Sequence, residues 1–147
     1  MLSPAELYDL AVHQYRQLFD IIAEVNAQNG APQLPESVRD YLVEPAWRAF
    51  NDVYSTMYIW GDYYVGQPDY QITTIAPLSP DEETFGAVVA IQSCELFQGA
   101  ALVSRDGFVF QDGSPVIQSI KSYFLIEDQA LKVFISNSEV VQSCPIT

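Results

Sequence analysis

The residues of this chain able to do chemistry are two cysteines, one histidine, and a large set of tyrosines and carboxylates. Cys94 and Cys144 stand in matching settings, Ile91-Gln92-Ser93-Cys94 and Val141-Gln142-Ser143-Cys144. Two thiols admit one bridge. They equally admit two buried free thiols, because free cysteine packs as a small hydrophobe. Neither has His, Lys or Arg beside it in sequence to favour its thiolate, so a redox-active role is not expected. A zinc site needs about four Cys, His or carboxylate ligands. The chain has no Cys-x-x-Cys, and His13 is its single histidine. No metal and no cofactor are therefore expected. Nucleophile elbows and glycine-rich phosphate loops are absent from the sequence.

Acid–base chemistry needs a carboxyl or imidazole in a dry pocket, with its pKa moved toward the working pH. Tyr15, with Asp20 a turn further on, or His13, could be drawn into such a role. In the strands, the residues expected to face inward are Ala, Val, Ile, Leu, Phe and Ser. The acidic residues Asp81, Glu82, Glu83, Asp106, Asp112, Glu127 and Asp128 fall in turns, where solvation is the ordinary explanation. The run Pro80-Asp81-Glu82-Glu83 lacks the alternating oxygen ligands of a calcium loop. The sequence thus offers no catalytic residue, and the expectation leans away from an enzyme.

Aromatic residues are the remaining signal, with nine Tyr, eight Phe and two Trp. Tyr54, Tyr58, Trp60, Tyr63, Tyr64 and Tyr70 crowd one stretch. Such a cluster suits a helix–sheet seal, a partner surface or an apolar pocket. Phe108, Phe110, Tyr123 and Phe124 read as cross-strand packing.

Charge narrows the partners. The net charge is −13, and the six Lys and Arg are scattered. A phosphate backbone would be repelled, so no nucleic-acid partner is expected. Adhesion to an anionic membrane, or insertion into one, is not expected either. No apolar run approaches the ~18 to 20 residues that span a bilayer. No signal peptide is visible ahead of Ser3.

The elements that must position these residues follow from pattern. Ser3-Pro4-Ala5-Glu6 combines a capping serine, a proline at the first helical position and the Glu of a capping box. Leu7, Leu10, Ala11, Leu18, Ile21, Ile22 and Val25 recur at helical spacing, widened by Tyr15 and Phe19. Gly30, Pro32 and Pro35 end this helix of roughly 25 residues. A shorter helix is expected from Pro35 to Val43. Pro45 opens a third, with Ala46, Ala49, Phe50, Val53, Met57 and Trp60 on one face. Gly61 and Gly66 bracket an aromatic turn over 62–65.

Strands follow over 70–78, 84–94, 100–104 and 108–110, the last two flanking the hairpin turn Arg105-Asp106-Gly107. Residues 77–83 read as a polar connection. Asp112-Gly113-Ser114-Pro115 is a second turn. Long strands over 116–126 and 130–141 are joined by Glu127-Asp128-Gln129. Helices first and strands afterwards argue a single α+β domain over residues 1–147. A long N-terminal helix and two shorter ones pack on a curved, mainly antiparallel sheet that wraps the first helix.

This order of elements resembles the NTF2-like superfamily, a cone-shaped α+β fold. One branch is closer. Gly61 and Gly66 precede the first strand, Ser93-Cys94-Glu95 ends a strand, and Asp106-Gly107 forms a turn. Pro115 then precedes a long strand, Leu131-Lys132-Val133 follows an acidic turn, and Cys144 closes the string. This is similar to NTF2-like domains of exported, often membrane-anchored or lipidated proteins of actinobacteria, although Leu131 stands where those domains tend to carry Trp. The resemblance implies that Cys94 and Cys144 pair. Such a bridge closes a loop of about 50 residues, worth on the order of 4 kcal/mol in the chain-entropy model. It also implies an extracytoplasmic protein, envelope-associated or secreted, whose leader or anchor is absent from this chain. Superfamily members hold a pocket in the open end of the cone, and some are enzymes that shuttle protons with a Tyr and acidic residues.

Two functional expectations result. The first is a non-catalytic module tethered to a bacterial envelope. It would contact another envelope protein or a second copy of itself through Tyr58, Trp60, Tyr63, Tyr64 and Tyr70. The second is a domain that binds a small apolar molecule, with conversion the weaker expectation, in a cone pocket lined by Tyr15, Trp47 or Tyr123. An exposed aromatic patch without a deep cavity favours the first. A cavity that holds a carboxyl favours the second.

Overall fold

Ser3 caps the first helix as its sequence directs. Its hydroxyl accepts from the Glu6 backbone N–H at 3.1 Å, and the Glu6 carboxylate accepts from the Ser3 N–H at 3.1 Å. The computed structural model describes residues 2–80 and 86–146. The acidic connection at Asp81, Glu82 and Glu83, and the strand start at Thr84, lie outside the described residues.

Helix α1 runs Pro4–Ala27 and buries Ala11, Tyr15, Leu18, Ile22 and Val25. Those positions form one stripe at helical period. Asn29 and Gly30 then take positive φ, 66° and 86°. A Cβ at Gly30 would stand 2.4 Å from the Tyr54 carbonyl oxygen. Glycine is what lets the chain leave α1 this close to the next helix.

The second helix is shorter than the pattern suggests. Glu36–Asp40 is a single 3-10 segment that buries Val38. Pro35 precedes the segment, and Pro45, which has no N–H to donate, stops any ladder from running on into the next helix. Its backbone groups turn to the sheet instead: Val43 N–H donates to the Val133 carbonyl at 2.9 Å, and Val133 N–H to Tyr41 at 2.8 Å. Helix α2 spans Ala46–Trp60, and Gly61 ends it in the left-handed conformation. The Arg105 guanidinium donates to the Trp60 carbonyl at 2.9 Å, satisfying one of the orphan acceptors at that helix end.

The sheet contains β1 Tyr63–Leu78, β2 Val89–Val103, β3 Val109–Gln111, β4 Val116–Glu127 and β5 Ala130–Val141. Every named pair is antiparallel, in the order β1-β2-β4-β5, and β3 pairs with the far end of β2. Two boundaries differ from the sequence pattern. Residues 63–65 belong to β1, paired with Val103, Leu102 and Ala101, and do not form a turn. β2 does not stop at Cys94 but continues to Val103. Gly66, which reads as bracketing a turn, instead marks a bulge opposite Gly99, at which a Cβ on Gly66 would stand 2.7 Å from the Gly99 carbonyl. The two-residue turn between β4 and β5 has Asp128 and Gln129 at φ 53° and 65°, the geometry of a tight hairpin.

Alternation along the strands gives the sheet two faces. Ile91, Phe124, Leu131 and Val133 face α1 and form the main core with Leu18, Ile22, Val25, Val38 and Leu42. Ala90, Tyr123 and Phe134 form a smaller cluster on the other face. Cys94 lies on that other face, fully buried, and is disulfide-bonded to Cys144. Among the described residues, no helix is long and apolar enough to cross a membrane.

Candidate functional site

The residue after Cys94 points the opposite way, toward α1, and it is a glutamate. Glu95 is 5% exposed. Its Oε2 accepts from the Tyr15 hydroxyl on α1, and its Oε1 accepts from the Tyr70 hydroxyl on β1. Ser93, two residues back on the same face, donates from its hydroxyl to the Tyr15 oxygen at 2.8 Å. The bonds form a chain: Ser93 to Tyr15, Tyr15 to Glu95, and Tyr70 to Glu95 from the other side.

Each side chain is placed by an ordinary local rule. Tyr15 belongs to the buried stripe of α1. The β1–β2 register sets Ile72 opposite Glu95 and Phe97 opposite Tyr70. A bulge between Ile72 and Thr74 offsets the pairing there. Tyr70 is wedged between Phe19, ring centroids 4.8 Å apart, and Phe97, 5.7 Å away edge-on.

Burial controls the electrostatics. It holds the Glu95 carboxyl above the ordinary glutamate range, and the two tyrosine hydroxyls only partly offset that rise. Tyr15 and Tyr70 are pushed up, first by burial and then by the adjacent Glu95 charge. Burial also raises Tyr54, with Tyr64 and Glu95 adding to it. All three phenols therefore stay protonated as donors over the working pH range.

Two cavities meet at this cluster. The inner one, about 100 Å³, is lined by Tyr15, Phe19, Phe50, Glu95, Ser122 and Ser136 among others. The outer one, about 480 Å³, is an open groove between the end of α2 and the far end of the sheet. Trp60, Tyr64, Phe97, Leu102, Phe110 and Val116 are among its walls. Tyr54 and Tyr70 line both cavities and stand between them. The outer volume falls in the range of small-molecule sites, roughly 300–1,000 Å³. The inner one has room for about three waters or one small head group. Together they set an apolar trough beside a chamber that holds one buried carboxyl, with Tyr54 and Tyr70 as the shared wall.

The residues singled out from sequence separate here. Tyr15 lines the inner cavity. Trp47 lines neither cavity; its ring lies 3.7 Å beneath the Arg39 guanidinium, and its buried indole N–H has no hydrogen-bond partner among the described residues. Tyr123 is buried in the cluster on the opposite face of the sheet. The aromatic patch divides as well. Tyr58, Trp60 and Tyr63 are exposed, whereas Tyr64 and Tyr70 are half-buried in the groove walls. His13 and Asp20 are exposed on α1, away from the Tyr15 side. Among the described residues, no group of three or more His, Cys, Asp and Glu is arranged to hold a metal.

Glu95 is the residue that the sequence reasoning passed over. All acidic residues weighed as functional candidates on the strands' side of the chain fell in turns. The signal lay in alternation. With β2 continuing past Cys94, Ile91, Ser93, Glu95 and Phe97 share the face that meets α1, and a carboxyl there is conspicuous.

No family model matches this chain, and no curated protein matches it.

Proposed function

We propose that this protein is an NTF2-like pocket domain that binds a small, largely apolar molecule bearing one polar group. The apolar body lies in the outer groove, and the polar group reaches Glu95 past Tyr54 and Tyr70. The observation that carries this reading is Glu95, a carboxyl buried at the inner end of an aromatic groove and held by two tyrosine hydroxyls. Burying a carboxyl costs free energy unless it is fully paired, and perturbed ionisable groups in a cleft concentrate at functional sites. Packing alone would be served as well by an apolar side chain. The same carboxyl could exchange a proton with a bound molecule, but binding requires only what the geometry already holds.

The disulfide supports an oxidising, extracytoplasmic setting, in which the domain is secreted or attached to a bacterial envelope. The test is an NMR titration with a panel of neutral apolar fragments. Shifts should cluster at Trp60, Tyr64, Phe97 and Leu102. Shifts scattered over the surface, or none, would sink the reading.

A second reading keeps the groove's rim as a contact surface for another envelope protein or a second copy. Its support is exposed apolar surface at the rim and beyond it: Trp60, on the groove wall, is 62% exposed, and Ile59 and Phe108, outside the groove, are 66% and 65% exposed. Trp60→Ser together with Phe108→Ser should then abolish any self-association seen by sedimentation.

A further inference from the structure

We propose that the ligand is an amine, bound as its ammonium in the inner chamber, with its hydrocarbon body in the groove. This deepens the pocket reading and rests on it. Three observations converge. The first is charge. Among the described residues, neither cavity is lined by Lys, Arg or His, while Glu95 lines the inner one and Asp62 the outer. A carboxylate or phosphate ligand would find no counter-charge here and would meet two like charges.

The second observation is the set of acceptors. An ammonium carries three donors and no acceptor. The chamber presents three oxygen-bearing side chains besides the tyrosines: Glu95, Ser122 and Ser136. Ser122 and Ser136 are directly opposite each other across β4 and β5. Glu95 has about four lone-pair sites, and the two tyrosines occupy two. One carboxylate and two hydroxyls can therefore each take one N–H.

The third is the wall. Phe19, Phe50, Tyr54 and Tyr70 bring aromatic rings to the chamber. Ring faces attract a cation within about 6 Å of the centroid, and more so when water is excluded. A neutral polar group gains little from those faces. The chamber's 100 Å³ admits an ammonium and its first methylenes, not a bulky head.

Binding also couples to the proton on Glu95. The titratable groups that face it are Tyr15 from α1, Tyr54 from α2 and Tyr70 from β1; β4 and β5 contribute Ile120, Ser122, Val133 and Ser136, which do not titrate. Glu95 must be ionised to pair with the ammonium. Amine affinity should therefore rise with pH through the carboxyl's titration, and level off before the amine itself loses its proton.

The experiment compares three probes of equal length, hexylamine, 1-hexanol and hexanoate, by calorimetry on the folded protein at several pH values. Hexylamine should bind at least about tenfold more tightly than 1-hexanol, the worth of one charge-assisted hydrogen bond. Hexanoate should bind most weakly. Glu95→Gln should bring hexylamine within about threefold of 1-hexanol and remove the pH dependence. Equal binding of hexylamine and 1-hexanol, or tightest binding of hexanoate, overturns the amine while leaving the pocket standing. A preference that survives Glu95→Gln unchanged overturns the role of Glu95. Failure of all three probes to bind at millimolar concentration overturns both the amine and the pocket. If Glu95→Gln does not fold, the wild-type pH series decides alone: a flat affinity for hexylamine overturns the proposal.

Discussion

The face of the sheet toward α1 has two ends, both crossed by β2 and β4 but roofed differently. At one end Ile91, Phe124, Leu131 and Val133 are sealed beneath α1. At the other, Phe97, Leu102, Phe110 and Val116 look into an open groove, with Val53, Tyr54, Thr56, Met57 and Trp60 of α2 across from them. β2 and β4 pass through both ends, so strand composition does not distinguish them. The helices do. α1 presents a continuous buried stripe. α2 buries Ala46 and Met57 but leaves Val53 62% exposed. Glu95 stands at the border, tied to Tyr15 of the sealed half and to Tyr70 of the open half. What an apolar side chain does here depends on whether a helix covers it.

That contrast can be broken at its sealed end. Phe124 is fully buried. Phe124→Ala should lower unfolding free energy by about 3–5 kcal/mol, as for large-to-small changes in a packed core. Urea melts with an unchanged slope would measure it. A cost no greater than for a groove residue would mean that the two ends are equally loose. Next in size is the bridge on the far face. Replacing Cys94 and Cys144 by alanine should cost about 2–4 kcal/mol, with the 50-residue separation placing it toward the upper end. Reductant should lower the melting temperature of the wild type and leave the double variant unmoved.

A smaller effect is expected at the border. Tyr15→Phe removes one donor from Glu95 and the acceptor of Ser93. Leaving buried polar atoms unpaired should cost about 1–3 kcal/mol. It should also push the Glu95 pKa further up, since a hydrogen bond to the charged form is lost. A neutral outcome in both stability and titration would remove Tyr15 from the network.

Much of this architecture is legible in the sequence. The capping box at Ser3, the stop at Gly30, the Asp106-Gly107 hairpin and the paired long strands are written in local chemistry, and each element is found close to where that chemistry puts it. The α+β class follows from their order. The groove's site was less legible for a definite reason. Gly66 reads as one bracket of a turn and the alternating run reads as ending at Cys94, one residue short of Glu95, whereas β1 and β2 run on through a bulge at Gly66. Only tertiary pairing distinguishes a bulge glycine from a breaker. Likewise, nothing local to Tyr15 and Trp47 says that the first lines a cavity and the second does not; that depends on how the helices lie over the sheet.

Glu95 itself sharpens the comparison through pH. Its folded pKa lies above the ordinary glutamate value of 4.5. The group therefore favours folding fully at pH below that ordinary value, and its contribution is lost as pH rises through the folded pKa. Glu95→Gln carries no charge and cannot show this loss. The difference in melting temperature, variant minus wild type, should become more positive from pH 4.5 upward. A difference independent of pH would mean that the carboxyl titrates as if solvated.

The smallest stability effect is expected at the open end, and it completes the contrast. Phe110 lines the groove yet is 49% exposed. Phe110→Ser should change unfolding free energy by no more than about 0.5 kcal/mol, the ordinary range for surface positions. The same change removes a ring from the groove wall, so affinity for an apolar probe should fall while stability holds. Phe124→Ala should do the reverse, lowering stability strongly with the groove wall left intact. If Phe110→Ser destabilised the fold as Phe124→Ala does, the open end would be core that happens to face water, and the groove would lose its claim to be a site.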